Sequence, residues 1–327
     1  MDCNVLVTRM ISKPAIEFLE ARCKTLEINP HDRPMTREEL MSAVRGRDGV
    51  LCLLTDAIDE TILREATGCR VFANHAVGFN NVEVDAATRL GIMVTNTPGV
   101  LTETTADLTW ALILAVARRV VESDQFMRAG KYTAWGPLLL LGTDVYGKTL
   151  GIVGAGRIGE AVARRAVGFG MTILYADVRA NDIMESQHNA RRVGLDELSK
   201  TSDFVTLHVP LLPETTHLIG PHELDLMKPA AYLINTCRGP VVDEKALVRA
   251  LETQSIAGAG LDVYENEPAV ESALLPMQNV VLLPHVGSAS IETRTKMAMM
   301  AAENLVAGLE GKRPPNLVNP DVLNRPH

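Results

Sequence analysis

The stretch TLGIVGAGRIGEAVARRA, residues 149–166, constrains the fold more than any other. A short apolar run, TLGIV, leads directly into Gly154, Gly156 and Gly159 in G-x-G-x-x-G spacing, and a helical pattern opens at Arg157 and Ile158. Glycines at these intervals are common by chance; between a strand and a helix they acquire a purpose. Gly154 permits a tight turn, Gly156 has no Cβ to keep the backbone from a pyrophosphate, and Gly159 lets helix and strand approach. The helix N-terminus then offers unpaired N–H groups and a partial positive charge to phosphate. The segment is read as a dinucleotide cradle formed by Gly154, Gly156, Arg157, Ile158 and Gly159. The bland alternative is a Gly-rich turn in an α/β core that binds nothing.

TLGIV is the first of six short apolar strands. TILYA at 172, DFVTLHV at 203, AYLIN at 231, GAGLDV at 258 and NVVLL at 279 follow, with helical patterns between most of them. A doubly wound dinucleotide-binding sheet is built this way. Upstream, CNVLVT, GVLCLL, RVFANH and GIMVT alternate with amphipathic segments, implying βαβ units and another parallel sheet. One long helix is predicted from Thr102 through ADLTWALILAVARRVVESDQFM, which carries no Pro or Gly. Residues 130–148, GKYTAWGPLLLLGTDVYGK, read as an irregular excursion. The final helix, ETRTKMAMMAAENLVAGL, is expected to return to the N-terminal region. The predicted fold class is α/β with two doubly wound parallel-sheet lobes, residues 1–99 with 290–327 and residues 100–289.

Composition narrows the partners. A chain of 327 residues exceeds one ordinary domain, and its 46% apolar and 22% charged residues suit a large buried core. A net charge of −8, with no basic stripe, argues against nucleic acid. Apolar runs such as ALILAVA are too short to span a bilayer, and MDCNVLVTRM does not read as a signal peptide. Cys3, Cys23, Cys52, Cys69 and Cys237 are an odd set without a CxxC pair. They read as free thiols in a reducing cytoplasm, with no disulfide framework and no metal site.

Four polar residues follow apolar strands, where ligands of open α/β sheets bind. Asp177 stands eighteen residues after Gly159, where a carboxylate can accept both ribose hydroxyls and repel a 2′-phosphate. Arg179 complicates that reading, and Asp177 could equally be a turn or cap residue. Arg238, beside Gly239 and Pro240, can grip a carboxylate or carbonyl; the alternative is a surface ion pair with Asp243 or Glu244. One of Glu265 and Glu267 could face inward, or both could be solvated loop charges. His285 follows NVVLLP, and a lone strand-end histidine is more often structural. Together they suit hydride transfer to a ketone: a proton donor, a carboxylate that favours its charged form, and a polarising cation.

With these motifs in view, the chain resembles the NAD(P)-dependent D-2-hydroxyacid dehydrogenase family over essentially its whole length. The resemblance is carried by AVGFNNVEVDAATRLGI, NTPGVLTETTADLTWAL, TDVYGKTLGIVGAGRIG, DFVTLHVPLLPETTHLI, INTCRGPVVDEKAL, AGAGLDVYENEP and LLPHVGSAS. The Arg, Glu and His triad of that family falls on Arg238, Glu267 and His285. The resemblance implies a flavodoxin-like substrate lobe and a Rossmann-like NAD(P)-binding lobe with the active site in their cleft. It implies that backbone N–H groups of Val77 and Gly78 bind the substrate carboxylate and that Leu54 lines the pocket. Thr105, Val209, Pro210, Thr216, Thr236, Cys237, Asp262 and Gly287 are implied to contact the cofactor, Asp262 at the nicotinamide amide. Without the family, Thr105 could equally be an ordinary helix hydroxyl, Cys237 and Leu54 core filler, and Pro210 a strand terminator.

Within the family the chain is similar to glyoxylate and hydroxypyruvate reductases, through YTAWGPLLLLGTDVYGKTLGIVG. That likeness implies a homodimer in which this stretch is an arm and Trp135 reaches the partner's substrate pocket. YADVRA, in place of an Arg and Ser after the second strand, favours NAD(H), with NADP(H) left open by Arg179. Val77 argues against phosphite oxidation, and Glu267 against a formate dehydrogenase. The expected activity is reduction of glyoxylate or hydroxypyruvate to the D-2-hydroxy acid, with His285 as general acid. Alternatives are D-lactate, 2-ketogluconate or 3-phosphoglycerate as the acid, or a non-catalytic NAD-sensing protein of the same fold.

Overall fold

The computed structural model describes residues 1–324. The chain divides into two compact units, Met1–Leu101 together with the stretch from Ala289 onward, and Thr102–Ser288. Both are α/β with wholly parallel sheets, the fold class expected from the alternating strand and helix patterns.

The first unit holds β1 (Asn4–Val7), β2 (Thr25–Ile28), β3 (Gly49–Cys52), β4 (Val71–Asn74) and β5 (Met93–Thr95) in the order β2-β1-β3-β4-β5. Strands β3 and β4 are buried along their whole length, as parallel strands covered by helices on both faces must be. The C-terminal helix Ile291–Leu309 packs on β3, β4 and the helix Lys13–Glu20. Its Ala298, Ala301, Ala302 and Leu305 share a core with Val5, Leu51 and Val71. Small side chains let that helix lie close: a Cβ on Gly308 would stand 3.0 Å from Val71 Cβ. Ser290 caps its start by accepting the Thr293 N–H at 3.1 Å. Strand β2 was not anticipated, because TLEI is an edge strand with alternate residues exposed and little apolar signal.

The second unit holds β6 (Thr149–Val153), β7 (Thr172–Ala176), β8 (Arg191–Arg192), β9 (Phe204–Leu207), β10 (Tyr232–Asn235), β11 (Gly258–Leu261) and β12 (Val280–Leu282). Their order is β12-β11-β10-β9-β6-β7-β8. The chain winds outward from β6 in both directions, so a topological switch point lies where β6 separates β7 from β9. Buried cores line both faces of this sheet. On one, Trp110 stacks on Phe169 at 4.5 Å and donates from Nε1 to Val162 O at 3.2 Å.

The single long helix predicted from Thr102 is instead two, Thr102–Ala117 and Val120–Arg128. Arg119 between them is left-handed, with φ of 53°. The break has a tertiary cause. Thr143 donates its N–H to Ala117 O at 2.8 Å, so the 130–148 excursion satisfies the first helix's C-terminal carbonyl. A side chain on Gly142 would collide with that same carbonyl. Among the described residues, no helix is long and apolar enough to cross a membrane.

Candidate active site

The three glycines after β6 have three separate reasons. Gly154 sits at φ 98°, and a Cβ there would press within 2.7 Å of the His208 backbone beyond β9. Gly159 would strike the Gly154 carbonyl. Gly156, the N-cap of the helix Arg157–Gly168, faces open space on its Cβ side, and no side chain caps the helix. Uncapped N–H groups and a bare approach are what a pyrophosphate requires. Arg157 is exposed at the helix start, and Ile158 packs inward on the core.

Asp177 leaves the end of β7 and does two things. Its Oδ2 accepts the Ala155 N–H of the glycine loop at 2.7 Å, and Oδ1 accepts the Arg179 N–H at 3.0 Å. The turn role and the position beside the cradle therefore coexist. Arg192 donates to the Asp177 and Val178 carbonyls at 2.9 and 3.0 Å, and Arg191 pairs with Glu197 at 2.8 Å. Arg179 is exposed. A dinucleotide fits these residues: an open glycine edge for its phosphates, and a half-buried carboxylate at the neighbouring strand end for its ribose.

Arg238, Glu267 and His285 follow β10, β11 and β12, three neighbouring strands, at their carboxyl ends. Glu267 Oε2 lies 2.9 Å from His285 Nδ1, and Oε1 accepts the Tyr264 N–H at 3.1 Å. Glu265 goes elsewhere, to His217 at 2.8 Å and the Glu244 N–H at 3.1 Å. Burial alone would push the Glu267 carboxyl up. Its hydrogen bond to His285, the imidazole's charge, the Tyr264 N–H and the Arg238 charge together hold it below the usual carboxylate range. Arg238 is half-buried and donates from Nη1 to Cys237 O at 2.7 Å; burial draws its pKa down while Cys237 and Glu267 oppose that. Of its alternative partners, Asp243 caps a helix through the Ala246 N–H at 2.9 Å and Glu244 accepts the Glu265 N–H at 2.7 Å. Gly239 explains how the arginine and glutamate loops meet, since a Cβ there would collide with the Tyr264 carbonyl.

His285 itself is left-handed, φ 55°, a conformation a non-glycine residue adopts only when its surroundings impose it. Asp262, one residue past β11, imposes it. Its Oδ1 and Oδ2 accept the N–H groups of Val286 and Gly287, both at 2.7 Å, and its carbonyl accepts the His285 N–H at 2.9 Å. Burial raises the Asp262 carboxyl, against the pull of those N–H groups and of the imidazole charge. This bracket was missed in the sequence, where Asp262 entered only through the resemblance; no local pattern announces a carboxylate that holds a loop twenty-odd residues away.

The remaining candidates are placed as follows. Thr105 donates to Gly287 O at 3.3 Å, and Thr236 Oγ1 lies 2.9 Å from Thr109 Oγ1. Cys237 Sγ donates to Asn235 Oδ1 at 3.1 Å, and burial pushes its thiol up to about 11. The Val209 backbone N–H lies against Gly154 just beyond β9, Pro210 follows it, and Thr216 donates to Leu212 O at 3.0 Å. In the first unit, Val77 and Gly78 are half-buried just beyond β4, and Leu54 is exposed just beyond β3. The Leu54 loop is fixed by Asp56, whose Oδ2 accepts Thr8 Oγ1 at 2.5 Å and Leu53 N at 2.8 Å. Trp135 is 78% exposed in the excursion, with Leu138 at 80% and Tyr146 at 75%. The described residues contain no group of His, Cys, Asp and Glu suited to a metal ion, and all five cysteines are free thiols.

The chain is similar to known proteins along nearly its whole length. Residues 110–287 match the family described as D-isomer specific 2-hydroxyacid dehydrogenase, NAD binding domain. The chain is 51% identical to the glyoxylate reductase of Korarchaeum cryptofilum, over 99% of this chain and 98% of that one. A crystal structure of a Thermus thermophilus protein superposes with a TM-score of 0.90 at 46% identity, covering 96% of this chain and 99% of that one. The NADPH-dependent glyoxylate/hydroxypyruvate reductase of Sinorhizobium meliloti, solved with citrate, superposes with a TM-score of 0.83 at 32% identity, covering 98% of each.

Proposed function

We propose that the chain, which belongs to the D-isomer specific 2-hydroxyacid dehydrogenase family, reduces glyoxylate or hydroxypyruvate to the D-2-hydroxy acid. The observation that carries this reading is the Glu267–His285 hydrogen bond at the end of β12, in the same parallel sheet whose β6 leads into the glycine cradle. The nicotinamide cofactor, when bound, supplies the hydride. Everything else is asked of the chain. Glu267, held ionised, accepts a hydrogen bond from Nδ1–H of His285, which fixes the tautomer and leaves Nε2 to carry the proton given to the ketone oxygen. Arg238 supplies a permanent positive charge for the carbonyl or carboxylate. Val77 and Gly78 supply backbone donors for the carboxylate, and Leu54 bounds the substrate's small side chain. Thr105, Asp262 and Gly287, joined by their own hydrogen bonds, would contact the cofactor, Asp262 at the nicotinamide amide.

NAD(H) is the favoured cofactor. A carboxylate at Asp177 would repel a 2′-phosphate, and Arg191 and Arg192 nearby are already engaged. The Sinorhizobium reductase is NADPH-dependent, so the family accommodates either. Trp135, Leu138 and Tyr146 are too exposed for a lone molecule and suit a homodimer in which the arm covers the partner. A panel of 2-keto acids, followed by absorbance with NADH and NADPH in parallel, tests the whole reading. Glyoxylate or hydroxypyruvate with NADH should give the highest kcat/KM. Intact nucleotide binding without turnover on any acid would point to a sensor instead.

A further inference from the structure

Neither Val77 N–H nor Gly78 N–H donates to any group among the described residues, whereas the carbonyls before them are firmly held. Thr97 N–H donates to Ala76 O at 2.8 Å, and Asn96 Nδ2 donates to Val77 O at 2.7 Å. Both donors lie in one short strap directly after β5. A trans peptide is planar, and its C=O and N–H point in opposite directions. The Ala76 carbonyl shares its peptide with the Val77 N–H, and the Val77 carbonyl shares its peptide with the Gly78 N–H. Pinning both carbonyls from the strap therefore turns each N–H group away from its own pinned carbonyl. Two consecutive, unspent donors can receive one carboxylate.

Of the two pins, Thr97 uses its backbone and Asn96 its side chain, so Asn96 is the one that sequence controls. Its own backbone is anchored. Asn304, 1% exposed on the C-terminal helix, donates from Nδ2 to Asn96 O at 3.1 Å, and Asn96 N–H donates to Asn316 O at 3.3 Å. Asn304 Oδ1 also accepts the Asn316 N–H at 3.1 Å. The strap is thus held by the last helix and the segment after it, and it holds the receptor in turn.

We infer that Asn96 is a positioning residue for substrate binding: its amide sets the Val77–Gly78 peptide so that the Gly78 N–H meets the keto-acid carboxylate. The inference rests on the reading of Val77 and Gly78 as the carboxylate donors. It requires a donor at residue 96. In Asn96→Asp a carboxylate would face the Val77 carbonyl, acceptor against acceptor, and the peptide is free to rotate; in Asn96→Ala the pin is simply absent.

The test compares three variants with the wild type for glyoxylate KM, kcat, NADH dissociation constant and melting temperature, with glyoxylate methyl ester as a second substrate. Both Asn96 variants should raise the glyoxylate KM about 10- to 100-fold, with kcat changed far less and NADH affinity retained. The preference for glyoxylate over its ester should fall by a similar factor, an effect that general loosening of the fold does not produce. Gly78→Asp, which sets a negative charge at the receptor, is the control for the underlying reading and should raise KM for the acid more than for the ester. If Gly78→Asp behaves so while Asn96→Ala and Asn96→Asp keep the wild-type KM and selectivity, the role of Asn96 is wrong and the receptor stands. If Gly78→Asp leaves acid and ester kinetics unchanged, the receptor reading itself falls and the Asn96 inference with it.

Discussion

Glu267 Oε2 stands 2.9 Å from His285 Nδ1, and its other oxygen is tied to the Tyr264 N–H of its own loop. The carboxylate is thus fixed before it meets the imidazole. Glu267→Gln keeps the size and removes the charge. It should lower kcat for glyoxylate reduction about 10- to 100-fold, since a charge-assisted hydrogen bond becomes a neutral one. NADH affinity, measured by fluorescence titration, should not change. Wild-type kcat in this variant would make the pair structural only.

Asp262 is a bracket that no neutral isostere reproduces. Asn has one acceptor oxygen, yet the N–H groups of Val286 and Gly287 each need one. Asp262→Asn should therefore release the left-handed turn at His285, costing about 1–3 kcal/mol of stability by denaturant titration. Turnover should drop about tenfold or more as the imidazole loses its orientation. Unchanged stability and kcat together would show that the turn holds without it.

His75, 8% exposed at the end of β4, is buried against the helix that carries Arg294, and burial lowers its pKa from 6.5 to about 4. The folded state therefore binds fewer protons than the unfolded state between those values. Stability is full above about 6.5 and is lost as pH falls toward 4, at a slope of up to about 1.4 kcal/mol per pH unit from this group. His75→Gln cannot titrate there. Chemical denaturation from pH 7 to pH 4 should show the wild type losing stability more steeply than the variant, and parallel curves would remove His75 as a cause.

The exposed arm offers an assembly test. Wild-type protein should sediment as a dimer. Leu138→Asp, placing a charge on a side chain that is 80% exposed in the single chain, should shift it toward monomer. A wild type that sediments as a monomer at micromolar concentration overturns the assignment of the arm.

The sequence and the structure agree where the signal is local. Strands such as TLGIV and AYLIN are apolar because helices cover both faces, and Gly154, Gly156 and Gly159 each answer a short-range steric demand. Agreement ends where a partner distant in sequence decides. TLEI at β2 and the two arginines of β8 gain their strand conformation from a neighbouring strand at a sheet edge, without the burial that leaves an apolar pattern. The helix break at Arg119 has no Pro or Gly to announce it, because Gly142 and Thr143 create it from across the loop. Arg238, Glu267 and His285 were visible as residues at strand ends, but their grouping depends on the order β12-β11-β10, which spacing alone does not give. Asn96 and Asp262 work on the backbone of other segments, and such work leaves no trace in the sequence around them.

The central claim is that His285 gives the proton to the ketone. His285→Ala, assayed with saturating NADH and glyoxylate, measures it most directly, alongside NADH binding and the melting temperature. Loss of about 10²- to 10⁴-fold in kcat, with NADH affinity and melting temperature preserved, is the predicted result. Turnover near that of the wild type would contradict it.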